Sequence, residues 1–159
     1  MLNSSDNIYE AYISFDALAK LENHVALNKD VEVLGFLIGD FCEWNGKQYT
    51  LIVDSQPIES ISRSDMVEPH ENSLARALNR IDRILKENII VGWYHSHPDF
   101  GCFLSSIDVQ TQRSFFSNPN HVALVIDPVR IELKLFKLTD NSYRGIPFII
   151  FKERRKNER

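Results

Sequence analysis

Asn45-Gly46 sits between two long apolar runs, VLGFLIGDFCEW (33–44) and KQYTLIVDS (47–55). Both residues tolerate positive φ, and this dipeptide between such runs predicts a two-residue hairpin whose turn matches the strand twist. A long antiparallel pair therefore has to lie inside this chain, and everything else has to pack on it or extend it. IYEAYIS (8–14), IIVGWYHSH (89–97), HVALVID (121–127), RIELKLFKL (130–138) and GIPFIIF (145–151) supply further strand-like runs. Pro147 interrupts the last of these and favours an edge position, because proline has no N–H for a ladder. Two segments have helical spacing instead. FDALAKLENHVAL (15–27) sets Phe15, Leu18, Leu21 and Val25 on one face behind a possible Ser14 cap. SLARALNRIDRILKEN (73–88) does the same with Leu74, Leu78, Ile81 and Leu85. SIDVQTQRSFF (106–116) is a third candidate helix. Strands and helices are mixed without a regular βαβ rhythm, which predicts a mixed α/β sandwich with helices around a sheet.

The chain has 159 residues, enough for one domain with a real core. Its net charge of -4 gives no reason to expect nucleic acid or an anionic membrane as a partner. No apolar run approaches the roughly 20 residues that cross a bilayer. The N-terminus does not read as a signal peptide, and two cysteines are too few for a disulfide framework. A reducing, cytoplasmic setting is the expectation. The ending KERRKNER (152–159) reads as a flexible, solvated basic tail, with a nucleic-acid arm as the alternative. Residues 56–72, QPIESISRSDMVEPHEN, are polar and aperiodic and read as a long loop.

Chemistry is concentrated in YHSHPDFGCFLSSIDVQTQ (94–112). On a strand, residues i and i+2 face the same way, so His95 and His97 offer two imidazoles to one side, roughly 6.5 to 7 Å apart at Cα. Both can converge on one ion, and nitrogen with carboxylate oxygen suits zinc. Asp108, on the first turn of the next helix, is a candidate third ligand. Three protein ligands would leave a fourth position for water, as catalytic zinc requires. His-x-His alone is a weak signal, and Ser105-Ser106-Ile107-Asp108 also fits a plain helix-capping pattern. The two readings of Asp108 are compatible, since a capped helix start is a rigid mount for a ligand.

His95-Ser96-His97-Pro98, followed by Ser105 and Asp108, resembles the signature of the JAMM (MPN-domain) zinc metalloproteases. Gly101 to Asp108, GCFLSSID, is especially similar to the branch that holds the proteasome-lid deubiquitinase and the signalosome deneddylase. EVLGFLIG (32–39) is similar to the family's segment with the catalytic glutamate, VGWY (91–94) to the strand entering the histidines, and VIDP (125–128) to a later strand end. The resemblance spans roughly residues 9 to 138. It implies a single MPN-type catalytic domain over 1–151, cytidine-deaminase-like, with a mostly antiparallel central sheet flanked by helices. It implies one Zn2+ held by His95, His97 and Asp108, with Glu32 as general base and acid and Ser105 stabilising the oxyanion. The implied reaction is hydrolysis of the isopeptide bond between ubiquitin, or a ubiquitin-like modifier, and a lysine. Conjugates of such modifiers are the implied partners, with the proteasome or another MPN-type subunit beside them.

The 56–72 loop falls where relatives carry an insertion that holds the modifier's extended tail as an added strand. Ser64, Asp65, Met66, Val67 and Glu68 are the expected substrate contacts, with Ser64 to Glu71 mobile until substrate binds. Two rival readings are an MPN-type scaffold without catalysis and a peptidase that trims sulfur-carrier proteins. Ser96 should face away from the ligands in a packing or hydrogen-bonding role. Trp93 and Tyr94 are expected in the core or lining a groove, Cys102 in a structural role, and His24, His70 and His121 as ordinary surface or structural residues. The turn after Pro128 is short, and the long C-terminal helices by which lid subunits assemble are not expected after the domain, as in a stand-alone processing enzyme or an excised catalytic domain.

Overall fold

The computed structural model describes residues 8–58, 70–82, 85 and 87–154. The predicted hairpin is its longest feature: β2 (Leu34–Trp44) pairs antiparallel with β3 (Lys47–Ile58). Asn45 (φ 48°) and Gly46 (φ 76°) both occupy the left-handed region, as a turn that follows the strand twist requires. β1 (Ala11–Ser14), β4 (Ile89–Ser96), β5 (Val122–Asp127), β6 (Glu132–Leu138), β7 (Tyr143–Ile146) and β8 (Phe148–Phe151) complete one sheet in the order β7-β6-β5-β4-β2-β3-β1-β8. Four of its pairings are antiparallel. β1 runs parallel to β3 and β8, and β4 parallel to β5.

Pro147 does more than mark an edge. The single strand expected over 145–151 is two strands, β7 and β8, at opposite ends of the sheet order. Only Pro147 separates them, so the sheet must curl until its two edges meet. Proline's missing N–H breaks the ladder there, while its carbonyl accepts from the Glu10 N–H at 2.9 Å. The Arg144 guanidinium on β7 closes the same seam with a fork onto the Glu10 carboxylate (2.6 and 2.5 Å).

Helices cover both faces. α1 (Phe15–Ala26) is capped by Ser14, whose Oγ accepts from the Ala17 N–H. It buries Ala17, Leu18, Leu21 and Val25 against Ile13, Leu37, Ile52 and Leu124. Phe15, the first residue of α1 and expected on that face, is instead exposed. α2 (His70–Asp82) and α3 (Ser106–Phe115) lie on the other face, over Phe36, Trp93, Val125 and Phe136. The stretch 56–72 expected as a loop is strand up to Ile58 and helix from His70, and residues 59–69 lie outside the described residues. Aperiodic polarity hid both boundaries.

Trp93 and Tyr94, neighbours on β4, point into opposite cores, as strand alternation requires. The Tyr94 hydroxyl meets His24 Nδ1 at 2.8 Å. Gly35 makes room for it: a Cβ there would lie 2.1 Å from the Tyr94 ring. His121 accepts from the Asn118 N–H and reaches the Ile90 carbonyl, so it and His24 have the structural roles expected of them. The side chain of His70 lies outside the described residues. No described helix is long and apolar enough to cross a membrane.

Candidate metal centre

The site lies beyond the carboxyl ends of the parallel pair β4 and β5. β4 ends at Ser96, and the His97 N–H continues its ladder by donating to the Ile126 carbonyl at 2.9 Å. The chain then turns through 98–104 and enters α3. Ser105 is its N-cap, and the capping box is complete. The Asp108 N–H donates to Ser105 Oγ at 3.1 Å, and the Ser105 N–H donates to Asp108 Oδ2 at 2.9 Å. The capping reading of this segment is thus correct.

The cap does not account for everything at Asp108. His95 Nε2 lies 3.2 Å from the same Oδ2, and His97 Nε2 lies 3.5 Å from it. Both histidines are 5% exposed. One carboxylate oxygen meeting two buried imidazoles is more than a helix start needs. These three residues form a group whose ligand atoms all lie within 4.8 Å of one another. At a zinc–ligand distance of about 2.0 to 2.1 Å, neighbouring corners of a tetrahedron are about 3.3 Å apart. The two His–Asp separations bracket that value, and the two-nitrogen, one-oxygen donor set is one zinc accepts.

The two histidines are held by different means. His97 Nδ1 donates to the Gly101 carbonyl at 3.2 Å, and Phe103 packs against its ring. His95 stacks on Trp93, with centroids 4.4 Å apart and planes 15° from parallel. His95 Nδ1 is buried without a hydrogen-bond partner among the described residues, so stacking orients that ring.

Electrostatics agree with the geometry. Burial pushes the Asp108 carboxyl up, but the hydrogen bonds from His95 and His97 outweigh it and hold the group far below the usual carboxylate range. Burial pushes His97 down, and Asp108, the Gly101 carbonyl and the charge of Glu32 together raise it. The ladder that pairs Leu34 with His95 and joins Val33 to Ser96 brings Glu32 alongside His97. Glu32 sits in the exposed segment just before β2, and Ser96 brackets it. The Val33 N–H donates to Ser96 Oγ (2.9 Å), the Ser96 hydroxyl reaches the Val31 carbonyl (3.4 Å), and the Ser96 N–H donates to the Val33 carbonyl (3.1 Å). Ser96 faces away from the ligands, as alternation predicts, and uses that position to fix the chain around Glu32.

Cys102 donates to the Val125 carbonyl at 3.2 Å, and burial raises its thiol pKa, so it serves structure rather than nucleophilic chemistry. Ser64, Asp65, Met66, Val67 and Glu68 lie outside the described residues. Of the expected mobile stretch Ser64 to Glu71, only residues 70 and 71 are described, at the start of α2. Asp127, which reading the sequence left as a mere strand end, is fully buried and accepts hydrogen bonds from the loop after His97. The only local sign of it was an aspartate before a proline.

The family model described as JAB1/Mov34/MPN/PAD-1 ubiquitin protease matches residues 6–118. The chain is 35% identical over 148 residues to the 26S proteasome regulatory subunit RPN11 of Candida glabrata, covering 88% of this chain and 47% of that protein. It is 35% identical over 139 residues to the ubiquitin carboxyl-terminal hydrolase RPN11 of Saccharomyces cerevisiae, covering 82% and 44%. It thus spans about half the length of the curated relatives it matches. A solution structure of a protein from Desulfitobacterium hafniense shares the fold, with a TM-score of 0.64 at 17% identity over 90% of this chain and 94% of that one. By the family match and these relatives, the chain belongs to the JAB1/Mov34/MPN/PAD-1 family.

Proposed function

We propose that this domain is a zinc-dependent isopeptidase that releases ubiquitin, or a ubiquitin-like modifier, from a substrate lysine. The observation that carries the reading is the convergence of His95, His97 and Asp108, with the strand ladder bringing Glu32 alongside. His95 and His97 would supply Nε2 and Asp108 a carboxylate oxygen to one zinc ion. Zinc in such a site supplies Lewis acidity, lowering the pKa of water from 15.7 toward about 7 and polarising the scissile carbonyl. Glu32 takes a proton from the attacking water as its oxygen bonds to the carbonyl carbon. Glu32 then returns that proton to the lysine nitrogen as the C–N bond breaks, and the second proton of the water passes to the amine, leaving a carboxylate and an ammonium.

Ser105 is suited to the developing oxyanion. Its Oγ already accepts from the Asp108 N–H, and a hydroxyl that accepts one bond keeps its proton to donate elsewhere. Ser64, Asp65, Met66, Val67 and Glu68 belong to the segment we propose as the substrate-tail contact, by strand addition. We take residues 1–151 as the catalytic domain and 152–159 as a tail. The names of the relatives support the proteasome as a partner; another MPN-type subunit as partner and a cytoplasmic setting belong to the same proposal. The intact donor set argues against a non-catalytic scaffold.

The test is cleavage of a ubiquitin–lysine isopeptide conjugate by zinc-loaded protein, after chelator treatment, and after zinc is restored. Activity that is lost and recovered with zinc supports the reading. Cleavage that survives complete zinc removal overturns it.

A further inference from the structure

Asp127 closes β5 and is fully buried, with no contact to any of the three metal ligands' side chains among its hydrogen bonds. Its carboxylate accepts four backbone N–H groups. Two come from its own turn, Val129 (2.9 Å) and Arg130 (3.0 Å), both on Oδ1. That much is an ordinary aspartate turn. The other two come from the loop that leaves His97: Asp99 N–H on Oδ1 at 3.0 Å and Gly101 N–H on Oδ2 at 2.8 Å. Arg130 reinforces the junction from the solvent side, donating to Asp99 Oδ1 (3.2 Å) and to the Asp99 carbonyl (3.0 Å).

Gly101 links this junction to the metal centre. Its N–H is held by Asp127, and its carbonyl accepts from His97 Nδ1 at 3.2 Å. It sits at φ 80°, where a side chain is strained. We propose that Asp127 is a positioning residue for the metal centre, acting on His97 through the Gly101 carbonyl. This inference rests on the zinc reading above. A proton fixed on Nδ1 would leave the Nε2 lone pair for a metal ion, and outer partners of this kind orient a ligand histidine and raise its basicity. Among the described residues His95 has no such partner, and its ring rests on Trp93 instead. The dependence on Asp127 therefore belongs to His97 alone.

Asp127→Asn separates the two halves of the junction. Its amide oxygen can keep the three donors on Oδ1, but its NH2 then faces the Gly101 N–H, donor against donor. Zinc affinity of the full chain, read by competition with a chelating indicator, should fall by about 10- to 100-fold. The visible spectrum of the cobalt-substituted protein should change as well. Arg144→Ala, which opens the distant Glu10 seam, should lower the melting temperature of the metal-free protein and leave zinc affinity alone. That control separates positioning from general destabilisation. Should Asp127→Asn fail to fold, Gly101→Ala perturbs the same link. Its Cβ would meet nothing closer than Arg130 at 3.5 Å, so it strains the backbone without a clash; it should also weaken zinc binding, by about tenfold or more. Folded variants that bind zinc within about twofold of wild type, with an unchanged cobalt spectrum, overturn the inference while the zinc reading stands. A wild-type chain that binds no zinc overturns both.

Discussion

The proposed metal ligands and the proposed base are mounted in opposite ways. His95, His97 and Asp108 come from one short stretch of chain, on a strand end and a capped helix start, and the two histidines are buried. Glu32 comes from far earlier in the chain, on an exposed segment with no regular structure of its own. Burial suits the ligands, because it fixes their rings and removes competing water. Exposure suits the base, because a group that must exchange protons with water and with a leaving amine cannot be sealed away. The cost of exposure is imprecise placement. The strand register offsets it, pairing Leu34 with His95, and the Ser96 hydroxyl holds both sides of Glu32.

The contrast can be tested by breaking each half separately. Asp108→Ala removes one ligand and the cap carboxylate together. It should abolish stoichiometric zinc binding in a metal titration and all cleavage with it. Ser105→Ala acts on rate and stability at once. Loss of an oxyanion donor should cost about 10² to 10³ in kcat, and loss of the cap about 1 kcal/mol in a denaturant titration. A variant with the stability loss alone would confine Ser105 to capping. Ser96→Ala should leave zinc affinity near wild type and lower kcat by about tenfold or more, since small misplacement of a catalytic group is expensive. Equal losses in zinc affinity and kcat would mean that Ser96 supports the ligands and not Glu32.

A smaller effect should appear in acid. Burial pushes the Asp127 carboxyl up, but its four backbone hydrogen bonds win and bring it down to about 2. A carboxyl lowered in the folded state stabilises above its unfolded pKa of about 3.9 and loses that contribution as pH falls. The metal-free protein should therefore lose stability between about pH 4 and pH 2, and Asp127→Asn should flatten that part of the profile. An unchanged acid transition in the variant would remove Asp127 from the carboxyls that hold the fold.

Much of the sheet could be read from the sequence because its signals are local. Asn45-Gly46 dictates a turn, Ser14 and Ser105 dictate caps, and alternation separates Trp93 from Tyr94. The gathering of His95, His97 and Asp108 was legible for the same reason, being a spacing along one strand and one helix start. What could not be read depends on contacts between distant segments. The split at Pro147 requires knowing that β7 adds to β6 at one end of a curled sheet and β8 to β1 at the other. The hold of Asp127 on Gly101, and of Ser96 on the segment around Glu32, are tertiary bonds with no periodic trace.

One measurement bears on the difference between ligands and base most directly: zinc content and isopeptide cleavage, measured together for wild type and Glu32→Gln. The expected result is equal zinc in both proteins, with cleavage slowed by about 10² to 10⁴ in the variant. A Glu32→Gln protein that keeps its zinc and cleaves at the wild-type rate would contradict the assignment of Glu32 as the base.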